Sequence, residues 1–209
     1  MTVLDQIKQH RLVAILRGCE PDHILPIAEA LYAGGIRLLE ITLNSRDALK
    51  AIEAASTRLT DKLLIGAGTV LTPDEAEAAI NAGARFILSP MLDLPTMEKT
   101  LGLGAVSIPG AFTATEILTA HRNGAGIVKV FPASVGPAYF RDLRGPLPQI
   151  PLMPTGGVNL ENIRHFQKAG AAAYGIGSAL VSPVDNLTTS YLQDLKTTAA
   201  AYVAAIGGK

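Results

Sequence analysis

The chain has no tryptophan, one cysteine and few charges, Lys, Arg, Asp and Glu together making up 17% of its 209 residues. With Cys19 alone, no internal disulfide can form, and a reducing compartment is the simpler expectation. Lys plus Arg equals Asp plus Glu at 18 each, which excludes a global field that would recruit nucleic acid or an anionic membrane. Any anionic ligand must be caught by local groups. No stretch approaches about 18 uninterrupted apolar residues, and the N-terminal MTVLDQIKQHRL carries Asp5, Lys8, His10 and Arg11 where a secretion signal would be apolar. The expectation is a cytoplasmic protein. The four histidines, His10, His23, His121 and His165, fall in helical or connecting segments without ligand-type spacing, so no metal site is expected.

What the chain does have is apolar content. Hydrophobic residues reach 48% and mean hydropathy is +0.30, enough for one well-covered core, so residues 1–209 are expected to form one domain. So much Ala, Gly and Val with so little charge suits a buried parallel sheet wrapped in helices, with part of the surface covered by another subunit. Eight aliphatic runs read as strands: LVAIL, LLEITL, LLIGAGTV, RFILSP, VSIPG, IVKVF, PLMPTGG and YGIGS. Segments such as PDHILPIAEALYAG, TPDEAEAAINAG and TATEILTAHRNG separate them, with Thr, Asp or Pro near the start and Gly at the end, the chemistry of helix caps. Gly34, Gly83, Gly124 and Gly170 each end a helix just before a strand and lie 49, 41 and 46 residues apart, about two βα units each. They should precede strands 2, 4, 6 and 8. Eight βα units in this length predict a small TIM (β/α)8 barrel. The rival, a doubly wound open sheet, lacks its phosphate loop, since neither GxGxxG nor GxxxxGK[ST] follows the first strand.

Within GIVKVFPAS a lysine stands in the middle of an apolar strand. If Val128 and Val130 face the helices, Ile127, Lys129 and Phe131 face the interior, and the ammonium can only rise toward the upper mouth. An edge strand with its lysine in water is the plainer alternative, but the neighbours are apolar on both faces. Burial disfavours the charged amine, and a neutral amine is a nucleophile that forms imines with carbonyl compounds. In LLEITL, Glu40 shares its parity with Leu38 and Thr42, and strands 2 and 6 of such a barrel face one another. Glu40 and Lys129 should therefore share a space, as an acid/base pair or as a structural ion pair. Buried ion pairs stabilise poorly, which favours the acid/base role.

Two glycine-rich strand ends, PTGGV and GIGSAL, follow strands 7 and 8. Barrels commonly hold a phosphate there with backbone N–H groups. Thr69, ending strand 3 in GAGTV, offers a hydroxyl to the other end of a substrate, or simply caps a turn.

Read together, VAILRG, EITL, GAGTVLTP, ILSP, IPG, KVFPAS, GPAYFRDLRGP, PTGGV and GIGSALV resemble, in order and spacing, the class I 2-keto-3-deoxy-6-phosphogluconate (KDPG) and 4-hydroxy-2-oxoglutarate (KHG) aldolases. The likeness runs from about Leu12 to Val181. It implies a homotrimer of TIM barrels that needs no cofactor, with Lys129 forming a Schiff base and Glu40 moving protons through a water. It also implies that Thr69 and Pro90 hold the pyruvate portion and that Gly156, Gly157, Gly177 and Ser178 bind the phosphate. One departure stands out. Some members continue the glutamate motif as E-x-T-L-R, with the arginine gripping the substrate carboxylate; here Asn44 occupies that place, and Arg17 in AILRG is the available replacement, as in a branch that includes 6-phosphogalactonate aldolases. Arg46 should instead start the next helix, and Arg17 has the alternative of being an exposed strand-end charge. The expected reaction cleaves a 2-keto-3-deoxy-6-phosphosugar acid to pyruvate and glyceraldehyde 3-phosphate, with KHG as a further candidate substrate. Competing readings are a sugar-phosphate isomerase or epimerase barrel, and a trimeric scaffold with a vestigial site.

Overall fold

The computed structural model describes residues 1–207; Gly208 and Lys209, part of the expected 1–209 domain, lie outside the described residues. Nine β segments alternate with helices: β1 Leu12–Leu16, β2 Leu38–Thr42, β3 Leu64–Gly68, β4 Phe86–Leu88, β5 Val106–Ile108, β6 Gly110–Ala111, β7 Val128–Val130, β8 Leu152–Pro154 and β9 Tyr174–Ile176. The helices are α1 Val3–His10, α2 Pro21–Ala33, α3 Ala48–Arg58, α4 Pro73–Asn81, α5 Leu94–Gly102, α6 Ala114–Arg122, α7 Pro137–Arg144, α8 Ile163–Lys168 and α9 Thr189–Ala205. Every paired strand is parallel. One sheet runs β5-β4-β3-β2-β1-β9 and a second runs β6-β7-β8, with a bridge from Thr155 to Gly175 between the ends of β8 and β9. The architecture is an α/β fold whose parallel strands form a curled sheet.

The expected strand count needs one correction. VSIPG is two short segments, because Pro109 has no N–H to give to a ladder and separates β5 from β6. Its carbonyl still pairs, accepting from the Lys129 N–H at 2.9 Å. The four helix-ending glycines fall where the repeat places them, before β2, β4, β7 and β9. Gly83, Gly124 and Gly170 adopt φ of +109°, +97° and +91°, a conformation side-chain-bearing residues rarely take. Helix starts follow their capping residues: the Thr113 hydroxyl accepts from the Glu116 N–H while the Glu116 carboxylate accepts from the Thr113 N–H.

Strand alternation sorts the core into two layers. Leu39, Ile41, Val128 and Val130 belong to the large cluster between sheet and helices. Val13, Leu38, Phe86, Leu88, Ile108, Ile127 and Met153, drawn from most of the strands, converge with Ile7 of α1 in a second cluster on the other face. Glu40 and Lys129 share the parity of this inner cluster, one step beyond Leu38 and Ile127 toward the strands' C-terminal ends.

Candidate active site

At those C-terminal ends the chain encloses a cavity of about 380 Å³. Ligand sites of α/β sheets lie outside the carboxyl ends of the strands, where loops from several strands converge. Here Arg17 follows β1, Thr69 follows β3, Pro90 follows β4, Lys129 rises from β7, Gly156 and Gly157 follow β8, and Gly177 and Ser178 follow β9; all line this one cavity. Glu40, expected to act beside Lys129, is not in the wall. It lies beneath it, wholly buried.

Lys129 is 3% exposed, and its amine sits 4.8 Å from the centre of the Phe131 ring. Burial pushes its pKa well below the usual lysine range, and Arg17 pushes the same way, while the Glu40 carboxylate opposes both. For Glu40 burial raises the pKa above the usual carboxylate range, against the pull of Lys129 and Arg17. Neither Glu40 oxygen has a hydrogen-bond partner among the described residues. Two titratable groups are thus pushed toward their neutral forms within electrostatic reach of each other. This is the combination a site needs to hold a nucleophilic amine and move a proton near neutral pH.

The supporting residues show why the sequence folds this way. Glu40 pairs in register with Ile15 and Gly66, and its carboxylate leans along the strand to lie over Gly68. A Cβ at Gly68 would sit inside that carboxylate, so glycine there makes room for it. Gly110, the register partner of Lys129, plays the same part for the Pro90 carbonyl, whose backbone occupies the space a side chain would need. Thr69 holds φ +57°, an outlier for a β-branched residue and a kind of strain that clusters at ligand sites. Gly156 and Gly157 have φ of +80° and +88°. The N–H groups of Gly157, Ser178 and Ala179 find no acceptor among the described residues. No helix starts in the loop after β9, which makes one hydrogen-bonded turn on the Gly177 carbonyl before α9 begins at Thr189.

The Arg17 guanidinium, which lines the cavity, donates to the Asn44 side-chain oxygen at 3.2 Å, so the asparagine in the E-x-T-L-N stretch is a hydrogen-bond partner of Arg17. Arg46 stays outside, in the turn before α3, 3.5 Å from Glu20. Sequence reading missed Thr155. Its hydroxyl is buried in the cavity wall without a partner among the described residues, and a Cβ at Gly175 would collide with it. An unpaired buried hydroxyl beside a ligand space is a ready partner for a substrate hydroxyl. The signal was present in PTGG, overshadowed by the glycines.

Gly68→Ala is expected to lower stability by about 1–3 kcal/mol through overpacking against Glu40. Urea denaturation of the single variants and of Gly68→Ala combined with Glu40→Ala checks this: shortening Glu40 should recover most of the loss. A loss of equal size in both backgrounds would place the clash elsewhere.

Among the described residues no three His, Cys, Asp or Glu side chains converge as a metal-ligand set, and no helix is long and apolar enough to cross a membrane. Residues 3–196 match the family described as KDPG and KHG aldolase. The chain is similar to the 2-dehydro-3-deoxy-6-phosphogalactonate aldolase of Escherichia coli strain K12, 40% identical over 171 residues that cover 81% of this chain and 83% of that one. A native KDPGal structure superposes with a TM-score of 0.86 at 37% identity, covering 93% of each chain. The KDPG aldolase of Legionella pneumophila, solved with pyruvate captured at low pH as a covalent carbinolamine intermediate, superposes at 0.83 with 29% identity, over 100% of this chain and 99% of that one. With residues 3–196 matched to the family, and with a buried lysine at the cavity and a buried glutamate within electrostatic reach of it, the chain belongs to the KDPG and KHG aldolases.

Proposed function

We propose that the chain is a class I aldolase that cleaves a 2-keto-3-deoxy-6-phosphosugar acid to pyruvate and glyceraldehyde 3-phosphate, with Lys129 as its imine-forming residue. The observation that carries this reading is a lysine only 3% exposed at a cavity, its pKa lowered by burial, with a buried carboxyl in electrostatic reach. The neutral Lys129 amine adds to the C2 ketone to give a carbinolamine; the protonated Glu40 carboxyl then gives its proton to the departing hydroxyl, which leaves as water, so that a protonated imine that withdraws electrons faces a Glu40 carboxylate. Glu40 accepts the C4 hydroxyl proton, directly or through a water. The C3–C4 bond then breaks, its electron pair moving into the enamine as the aldehyde forms. Protonation at C3 and hydrolysis of the imine release pyruvate and restore the amine. This sequence uses no cofactor.

In this reading Arg17, Thr69 and Pro90 hold the pyruvate half. Arg17 carries the cation that a carboxylate needs, and Thr69 and Pro90 line the same cavity. Gly156, Gly157, Gly177 and Ser178 hold the phosphate, supported by amides at these loops that have no acceptor among the described residues. The reading also includes a closed (β/α)8 barrel as one domain. Chain continuity from β5 through Pro109 to β6, with the Thr155 to Gly175 bridge, supports closure. It includes a cytoplasmic homotrimer, supported by large apolar side chains left open to solvent, among them Leu71, Met91, Leu94 and Phe112.

Pyruvate release from the 6-phosphogluconate-type and 6-phosphogalactonate-type keto acids and from 4-hydroxy-2-oxoglutarate tests the assignment. At least one phosphorylated compound should exceed the unphosphorylated one in kcat/KM by about 100-fold or more, the scale a buried anion contact provides. No pyruvate from any of the three would overturn it.

A further inference from the structure

The loop after β8 is tied down by a residue outside the cavity. The Asn162 side-chain N–H donates to the Gly157 carbonyl at 2.8 Å, and its oxygen accepts from the Asn159 N–H at 2.9 Å. The Asn159 side-chain oxygen in turn accepts from the N–H groups of Glu161 and Asn162 at 3.0 and 3.1 Å. Both ends of the Asn162 amide are therefore engaged, which fixes its orientation as well as its rotamer.

A peptide unit is planar and trans, so its C=O and N–H point in opposite directions. Holding the Gly157 carbonyl toward Asn162 turns the next N–H, that of Val158, away from it. Val158 lines the cavity and is 3% exposed, and its N–H finds no acceptor among the described residues. A buried N–H without a partner costs stability unless something else accepts from it. The positive φ of both Gly156 and Gly157 lets this peptide adopt its orientation without side-chain strain.

We infer that the Val158 N–H is a further donor to the substrate phosphate and that Asn162 is the positioning residue that aims it. This rests on the reading of the glycine loops as a phosphate site. Asn162 touches no substrate. It acts by denying the Gly157–Val158 peptide the flipped orientation, in which a carbonyl oxygen would face the anion and repel it.

The test compares kcat/KM for 2-keto-3-deoxy-6-phosphogluconate with that for its unphosphorylated counterpart, in the native enzyme and in Asn162→Ala and Asn162→Asp. The aspartate variant keeps the oxygen that accepts from Asn159, so the turn before α8 survives even if the alanine variant unfolds. The alanine variant carries no added charge, so a shared loss is not one of simple repulsion. The ratio of the two specificities should fall about tenfold, the worth of one well-aimed hydrogen bond to a charged group, with the change in KM and not in kcat. An unchanged ratio in a folded variant, whether neither substrate suffers or both suffer alike, would overturn the role of Asn162. A native enzyme that does not discriminate between the two compounds would instead sink the phosphate reading, and this inference with it.

Discussion

Lys129→Ala should abolish covalent capture of pyruvate and lower the cleavage rate by about four orders of magnitude or more, since without an amine there is no imine to accept the electrons of the breaking bond. In the native protein, borohydride in the presence of pyruvate should fix a stable mass increment on Lys129, located by peptide mapping. The structure gives the amine a reason to react. Lys129 is 3% exposed and its amine lies beside the Phe131 ring, with burial holding it below the usual lysine range. The trapping rate should therefore rise with pH to a midpoint clearly below about 10.4, the value of a lysine in water. The stability of the fold carries the opposite face of that shift. Between the folded and unfolded pKa values of Lys129 the unfolded chain binds more protons, so this group makes stability rise with pH across that window. An increment on another lysine, or capture that persists in Lys129→Ala, would remove Lys129 from the mechanism.

Glu40→Gln should slow turnover by about 10²–10⁴-fold, the usual contribution of a positioned acid/base group, while pyruvate is still trapped. The amide is nearly isosteric, so it fills the space over Gly68 without a clash, yet it cannot take a proton. Both Glu40 oxygens are wholly buried and without hydrogen bonds among the described residues, and a carboxyl kept for structure would be expected to have partners. Turnover that survives the change would make Glu40 structural. The pH dependence of stability supplies a second check. Burial raises the Glu40 pKa, so the folded chain holds the extra proton between the unfolded and folded values, and this group makes stability fall as pH rises through that window. The glutamine variant should lose this contribution.

The strands, their order along the chain and the inward parity of Glu40 and Lys129 were legible because strand alternation is a local rule, and one apolar neighbour on each side is enough to apply it. The capping threonines and helix-ending glycines were legible for the same reason: each satisfies backbone groups within a few residues. Pro109 was visible in VSIPG too, but its effect on the ladder depends on which N–H groups a neighbouring strand needs. Thr155, Gly68 and Gly110 were not legible as site residues, since each matters only through its packing against another strand or loop: the Thr155 hydroxyl over Gly175, Gly68 beneath the Glu40 carboxylate, and Gly110 against the Pro90 backbone.

The sequence by itself determined the alternation of strands and helices and the family, because those reside in residue types and their spacing. Only the tertiary structure decided that Arg17 hydrogen-bonds Asn44, that Glu40 is buried over a glycine without a partner among the described residues, and that Asn162 grips a carbonyl of the glycine loop. Those contacts join positions on different strands and loops, and their energies depend on distance, direction and exclusion of water, which exist only once the chain has closed on itself.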